Sequence, residues 1–277
     1  MKADFFESLL LLLLTHGHLG LIIINILLIW RNMAVPKFFV SPEQIQGDEI
    51  RITEDAHHIK HVLRMQIGEQ LTVCDGQGVD HISRIESMDD QIVVCHIESS
   101  IPSQAEPEIH ITLFQGLPKS DKLEWILQKG TELGISAFVP VEMKRSVVRI
   151  ESKKEARKTE RLRKIAESAA KQSSRGIIPS VEESCSFDKV LARTAEFDLF
   201  LVPYEGALDR SLKPVLEALP AKPCKAAILI GPECGIDPSE IERLKQAGAV
   251  PVGLGPRILR TETAGPVTAA LLLYHFS

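Results

Sequence analysis

The chain has 277 residues, 44% hydrophobic and 25% charged, a composition that excludes a disordered or fibrous protein and suits one large or two modest domains. Five cysteines, an odd number without a CxxC pair, argue against a disulfide framework and a zinc cluster and for a reducing compartment. A net charge of −5 disfavours, as an average, a nucleic-acid partner.

The first distinctive segment is Leu9–Trp30, two apolar runs separated by Thr15, His16, Gly17, His18 and Gly20. Its 22 residues are long enough to span a bilayer, with Trp30 and Arg31 at one interface. It makes a poor signal peptide, because Asp4 and Glu7 offset Lys2 and no small-residue cleavage site follows. Two readings stand: an anchor, or an apolar leader over 1–32 upstream of a true start at Met33.

From Lys37 to about Ser100, short strands are predicted at Ile50–Thr53, Leu71–Cys74, Val79–Ile85 and Ile92–Ile97, with a helical turn over Ala56–Leu63. Asp75–Gly78 and Asp89–Asp90 supply turns, and strands this closely spaced suggest a small barrel. Ser99–Pro107 has the composition of a linker. The rhythm then becomes β-α-β. Strands are predicted at Ile109–Phe114, Ala137–Val141, Leu199–Val202, Ala226–Ile230 and Val250–Leu254. Helices are predicted over Asp121–Leu133 (with Asp121 and Glu124 as a capping box), over Lys154–Gln172, after Asp237, and through Ala269–Tyr274. Such alternation means a parallel sheet with helices on both faces, whose ligands bind at the carboxyl ends of strands.

Two loops, expected on adjacent strand ends, have the chemistry for that. In Gly231-Pro-Glu-Cys-Gly235, the glycines let backbone approach a ligand, and Asp237-Pro-Ser-Glu240 aims a capped helix N-terminus at the loop. Gly255-Pro-Arg-Ile-Leu-Arg-Thr-Glu262 brings two arginines and hydroxyl groups to the entry of the last helix. The glycine pattern is neither a dinucleotide fingerprint nor a Walker A loop. Without a ligand, these would be a tight turn and solvated arginines.

Charge by segment changes the first impression. Lys144–Arg175 holds twelve Lys or Arg and four Asp or Glu, a local +8, so the remainder of the chain sums to −13. A helix this basic is a footprint for a phosphate backbone, although Glu160–Lys164 and Glu167–Lys171 could form i,i+4 pairs on a solvated face.

Gly231-Pro-Glu-x-Gly235 and Leu254-Gly-x-Arg-Ile-Leu-Arg-x-Glu-Thr-Ala264 resemble the last two signature motifs of the SPOUT class of S-adenosylmethionine-dependent RNA methyltransferases. Together with Lys122–Leu133, Arg145-Ser-Val-Val148 and Glu167–Arg175, they resemble the RsmE family, which methylates uridine N3 in 16S ribosomal RNA. The likeness runs from about Pro36 to the C-terminus; Cys234 stands where the family usually has glycine.

The resemblance implies an α/β fold: a SPOUT-type domain (107–277) with a C-terminal trefoil knot, preceded by a small PUA-like β-barrel domain (33–103). It further implies a homodimer, a cytoplasmic location, 16S rRNA (within the assembled 30S subunit) as partner, and no metal. S-adenosylmethionine is implied at Leu201, Tyr204, Gly231, Pro232, Gly235, Leu254, Gly255, Arg257, Ile258, Leu259 and Thr261. Arg260 is expected to carry the electrostatic role, with Glu233 and Glu262 as candidate proton acceptors. RNA contacts are expected at Lys37, Arg145, Arg157, Arg161, Lys164 and Arg175. The alternatives are a related enzyme acting on another nucleotide and a non-catalytic RNA-binding protein.

Overall fold

A computed structural model describes residues 35–119, 121–148, 152–207 and 209–276. The expected leader or anchor over 1–32 lies outside the described residues. The chain divides into two compact units, one reaching to Asp75 and resuming over Asp80–Ile101, the other comprising Gly76–Val79 and everything from Pro102 on.

The first unit is a six-stranded sheet. Its strands are β1 (Lys37–Phe39), β2 (Ile45–Gln46), β3 (Glu49–Ile52), β4 (Gln70–Cys74), β5 (Val79–Met88) and β6 (Val93–Pro102), in the order β1-β4-β5-β6-β3-β2. Period-two alternation sets its inner face: Ile50 and Ile52, Leu71 and Val73, and Val93 and Cys95 are buried, whereas Arg51, Thr72 and Val94 point outward. Phe38, Ile59 and Ile85 complete this core. The strand β6 continues to Pro102, so the expected linker loses its first four residues to a polar, exposed strand end.

The second unit is a parallel sheet of β7 (His110–Gly116), β8 (Ala137–Glu142), β9 (Ser180–Val181), β10 (Cys185–Ser186), β11 (Leu199–Pro203), β12 (Lys225–Ile230) and β13 (Val250–Val252). Its order is β10-β8-β7-β12-β11-β13, with β9 also on β8. Strands buried on both faces read as continuous apolar runs, and alternate residues serve different layers. Ile228 and Ile230 face α1 (Lys122–Glu132), α2 (Ser152–Gln172), a short α4 (Leu212–Glu217) and α6 (Thr261–Phe276). Ala227 and Leu229 face α3 (Phe187–Arg193) and α5 (Pro238–Gln246).

Two local expectations fail for identifiable reasons. Asp121 makes no side-chain cap on α1, and its expected partner Glu124 binds Arg161 of α2 at 2.8 Å. The two ligand-type loops do not follow adjacent strands, because β11 lies between β12 and β13. The chain brings them together by another route. The Tyr204 amide donates to Val252 O, the Gly253 amide to Arg210 O, and the Leu212 amide to Gly253 O, so the 204–212 loop clasps the chain as it leaves β13. Beyond this clasp the chain returns across the sheet, and α6 packs on β12, β7 and α1.

Candidate active site

The loops gather at the carboxyl ends of β7, β12 and β11 in the second unit. At the end of β7, Gln115 is 1% exposed and its Nε2 donates to the Thr261 hydroxyl at 2.9 Å. That hydroxyl in turn donates to Gly231 O at 2.6 Å. This chain of bonds fixes the start of α6 against the loop after β12. Gln115 Oε1 is buried without a hydrogen-bond partner, an acceptor left open inside the site.

The Gly231–Gly235 loop is tightly built. A Cβ on Gly231 would lie 2.7 Å from Ile236 Cγ1, and Gly235 has φ +71°, so neither position readily accepts a side chain. The expected capping box of α5 is present: the Asp237 carboxylate accepts from the Ser239 amide, and Glu240 reaches back to the Asp237 amide. The Ser239 hydroxyl and then Lys144 hold the Asp237 carboxyl down at about 2. Arg145 donates to Cys234 O at 3.1 Å and lies 3.6 Å from Asp237, so it braces this loop instead of projecting free toward RNA.

Glu233 and Glu262 come from different loops and share one cation. Lys122 Nζ stands 3.2 Å from Glu233 Oε1 and 3.2 Å from Glu262 Oε2. Glu233 also accepts from the Lys119 amide at 2.9 Å. Burial pushes the Glu233 carboxyl upward, but the Lys119 amide, its own amide and Lys122 outweigh this and leave it below the ordinary carboxylate value. Glu233 is therefore a weakened proton acceptor. Glu262 Oε2 is buried and has no hydrogen bond beyond its ion pair. Reading the loops alone missed Lys122, although it opens the Lys122–Leu133 motif.

The other expected site residues divide by exposure. Arg257, Ile258 and Arg260 are exposed, Ile258 at 82%, and Arg257 and Arg260 have no ion pair among the described residues. Tyr204, Leu254 and Leu259 are half-buried, Gly255 is exposed, and Pro232 is buried. Leu201 is fully buried in mid-strand between Ile228 and Val250. Two of the residues expected at the RNA surface are largely enclosed in ion pairs. Arg175 is 2% exposed and bonded to Glu106, Thr131 O and Ile135 O. Lys37 pairs with Asp80 at 2.8 Å, both side chains only 13% exposed. Arg161 is exposed but carries the Glu124 pair, whereas Arg157 and Lys164 have no ion pair among the described residues. The Glu160–Lys164 pair is replaced by Glu160–Arg163 at 3.9 Å, and Glu167–Lys171 forms at 3.1 Å. No cluster of three His, Cys, Asp or Glu able to hold a metal occurs among the described residues.

Residues 105–273 match the RNA methyltransferase domain family, and residues 47–98 match the RNA methyltransferase PUA domain family. The fold and its loops thus define an α/β RNA methyltransferase with an N-terminal PUA domain. The chain is 41% identical over 215 residues to the ribosomal RNA small subunit methyltransferase E of Bacillus subtilis, covering 76% of this chain and 84% of that one. With the Mycobacterium tuberculosis protein of the same name it shares 32% over 241 residues, 80% of this chain and 82% of the other. The chain belongs to the ribosomal RNA small subunit methyltransferase E family. The Neisseria gonorrhoeae member, solved bound to S-adenosyl methionine, superposes with a TM-score of 0.74 at 26% identity, covering 87% of this chain and 97% of that one. A Legionella pneumophila protein in complex with the bound cofactor SAM gives 0.73 at 30% identity, over 87% and 97%.

Proposed function

We propose that this protein transfers the methyl group of S-adenosylmethionine to N3 of one uridine in 16S ribosomal RNA. The observation that carries this reading is the junction of the Gly231–Gly235 loop with the 254–261 segment through Gln115 and Thr261, beside an exposed Arg260 that has no ion pair among the described residues. The residues fit the cofactor: a glycine loop in which a side chain would clash and the buried, unsatisfied Gln115 acceptor. The cofactor supplies an activated methyl group, so the protein's work is alignment and proton management. Main-chain groups of Gly231, Pro232, Gly235, Leu254, Gly255, Ile258 and Leu259, with Tyr204 and Thr261 beside them, hold the donor. Neutral uracil N3 carries a proton and is a poor nucleophile. Arg260 stabilises the negative charge that develops on the base as that proton leaves, and Arg257 flanks it. Donors already crowd Glu233, which leaves Glu262 as the candidate to take the proton. The target base leaves its stack to enter the site.

In this reading residues 33–103 form the RNA-binding domain and 107–277 the catalytic domain, whose C-terminal segment is threaded as the trefoil knot of SPOUT enzymes. The clasp of residues 204–212 on Gly253 supports that threading. The protein works in the cytoplasm on the assembled 30S subunit, and among the described residues no helix is long and apolar enough to cross a membrane. It acts as a homodimer, a reading supported by the exposed apolar Leu271 and Tyr274, which line a cleft of about 550 Å³ between α4 and α6.

The test is methyl transfer to 30S subunits and to naked 16S RNA, with the product mapped by mass spectrometry. One N3-methyluridine, formed preferentially on subunits, is expected; methylation at another atom would reject the assignment. For the RNA surface, alanine at Arg157, Arg161 and Lys164 together is expected to lower the log–log slope of RNA affinity against salt by about 2–3. An unchanged slope would make that helix a solvated face.

A further inference from the structure

We propose that Lys122 is a positioning residue, a latch that fixes the loop after β12 to the first turn of α6. The proposal rests on the reading that these two segments hold the cofactor. Its basis is the placement of one ammonium between two carboxylates from remote parts of the chain, at 3.2 Å from each. Lys122 is 29% exposed at its side chain, Glu233 26% and Glu262 19%, so water only partly screens the three charges. The latch extends to the loop after β7, because the Lys119 amide donates to the same Glu233 oxygen.

Without the ammonium, two like charges face each other in a half-buried site, and the loops holding them are driven apart. The neighbours make that separation costly for the site. Thr261, which bonds Gly231 O, is flanked by Arg260 and Glu262, so a shift of Glu262 displaces Arg260 relative to the glycine loop. Lys122 therefore sets the register between the segment that would hold the donor and the arginine that would face the acceptor. It need touch neither ligand.

The latch can be separated from ordinary packing by charge logic. S-adenosylmethionine is titrated calorimetrically into the full chain as wild type, Lys122→Met, Lys122→Arg, and Lys122→Met with Glu262→Gln. Near neutral pH, Lys122→Met is expected to weaken binding about tenfold or more, and Lys122→Arg to retain most of it. Lowering the pH shrinks the deficit, because protonation relieves the repulsion between two facing carboxylates. Adding Glu262→Gln to Lys122→Met removes the repulsion and recovers most of the affinity at neutral pH. A side chain that merely packs would show neither the pH dependence nor that rescue. Wild-type affinity in Lys122→Met, or no rescue by Glu262→Gln, overturns the proposal. If Lys122→Met fails to fold, a folded double variant supports the latch and an unfolded one rejects it. If wild type itself fails to bind, the cofactor reading fails, and the latch is judged by hydrogen exchange. Exchange of the Lys119 amide and residues 231–236 should quicken in Lys122→Met and slow again in the double variant; unchanged rates reject the latch.

Discussion

Alanine in place of Arg260 is expected to cut methyl transfer to uridine by at least about 10²–10³-fold while leaving the melting curve within error of wild type. Arg260 is exposed and has no ion pair among the described residues, so its removal leaves no buried charge unpaired. What would disappear, in the proposed mechanism, is the cation beside the charge that develops on the base. Lysine at the same position keeps the charge but loses the planar fork, and a partial recovery would show that charge alone supplies part of the effect. Single-turnover rates, read by mass spectrometry of the nucleoside, separate this from a binding defect. Wild-type turnover in Arg260→Ala would remove this residue from the mechanism.

The second large effect falls on stability. Arg175→Ala is expected to cost about 3–5 kcal/mol in the second unit, because it strands Glu106 in a half-buried site. The Arg175 guanidinium is almost wholly enclosed, pairing with Glu106 at 2.6 Å and donating to Thr131 O and Ile135 O. Glu106 also accepts from the Gly176 and Ile177 amides. Burial pushes the Glu106 carboxyl up, but Arg175 and those amides outweigh it, and the net shift is below the ordinary value. The sign follows from linkage. A depressed folded-state pKa gives stability that is present above the unfolded carboxylate value and lost as pH falls through the folded one. Urea midpoints of wild type should therefore drop on acidification more steeply than those of Glu106→Gln. Equal slopes would assign the cluster to packing alone.

Much of the second unit was legible because its strands and long helices carry strong periodicity. Ile126, Leu127, Leu162 and Ala166 are buried as their spacing requires. The short elements were not. Phe187–Arg193 and Leu212–Glu217 are too brief to show a helical period, and the second contains Pro214. Local signals also misled where a distant partner took the side chain. Glu124 looks like a cap residue but serves Arg161, and Arg175 looks like part of a basic surface but closes the core around Glu106. The glycine loop and the Asp237 cap were readable, since both are governed by neighbours in sequence. Lys122 was not, because its importance exists only once Glu233 and Glu262 are placed on either side of it.

The clasp at Gly253 has a consequence for the order of events in the cell. The bond from Gln115 to Thr261 joins residues 146 positions apart, and it lies beyond the clasp, at the entry to the final helix. Contacts so remote in sequence form slowly, and during synthesis they must await the C-terminal segment. Until α6 is made, the nascent chain lacks Ala264, Ala269 and Leu272 from the core of its parallel sheet, as well as the bond by which Thr261 holds the loop after β12. A chain cut short before Thr261 would therefore lose core and candidate site together, because the same helix helps to close both.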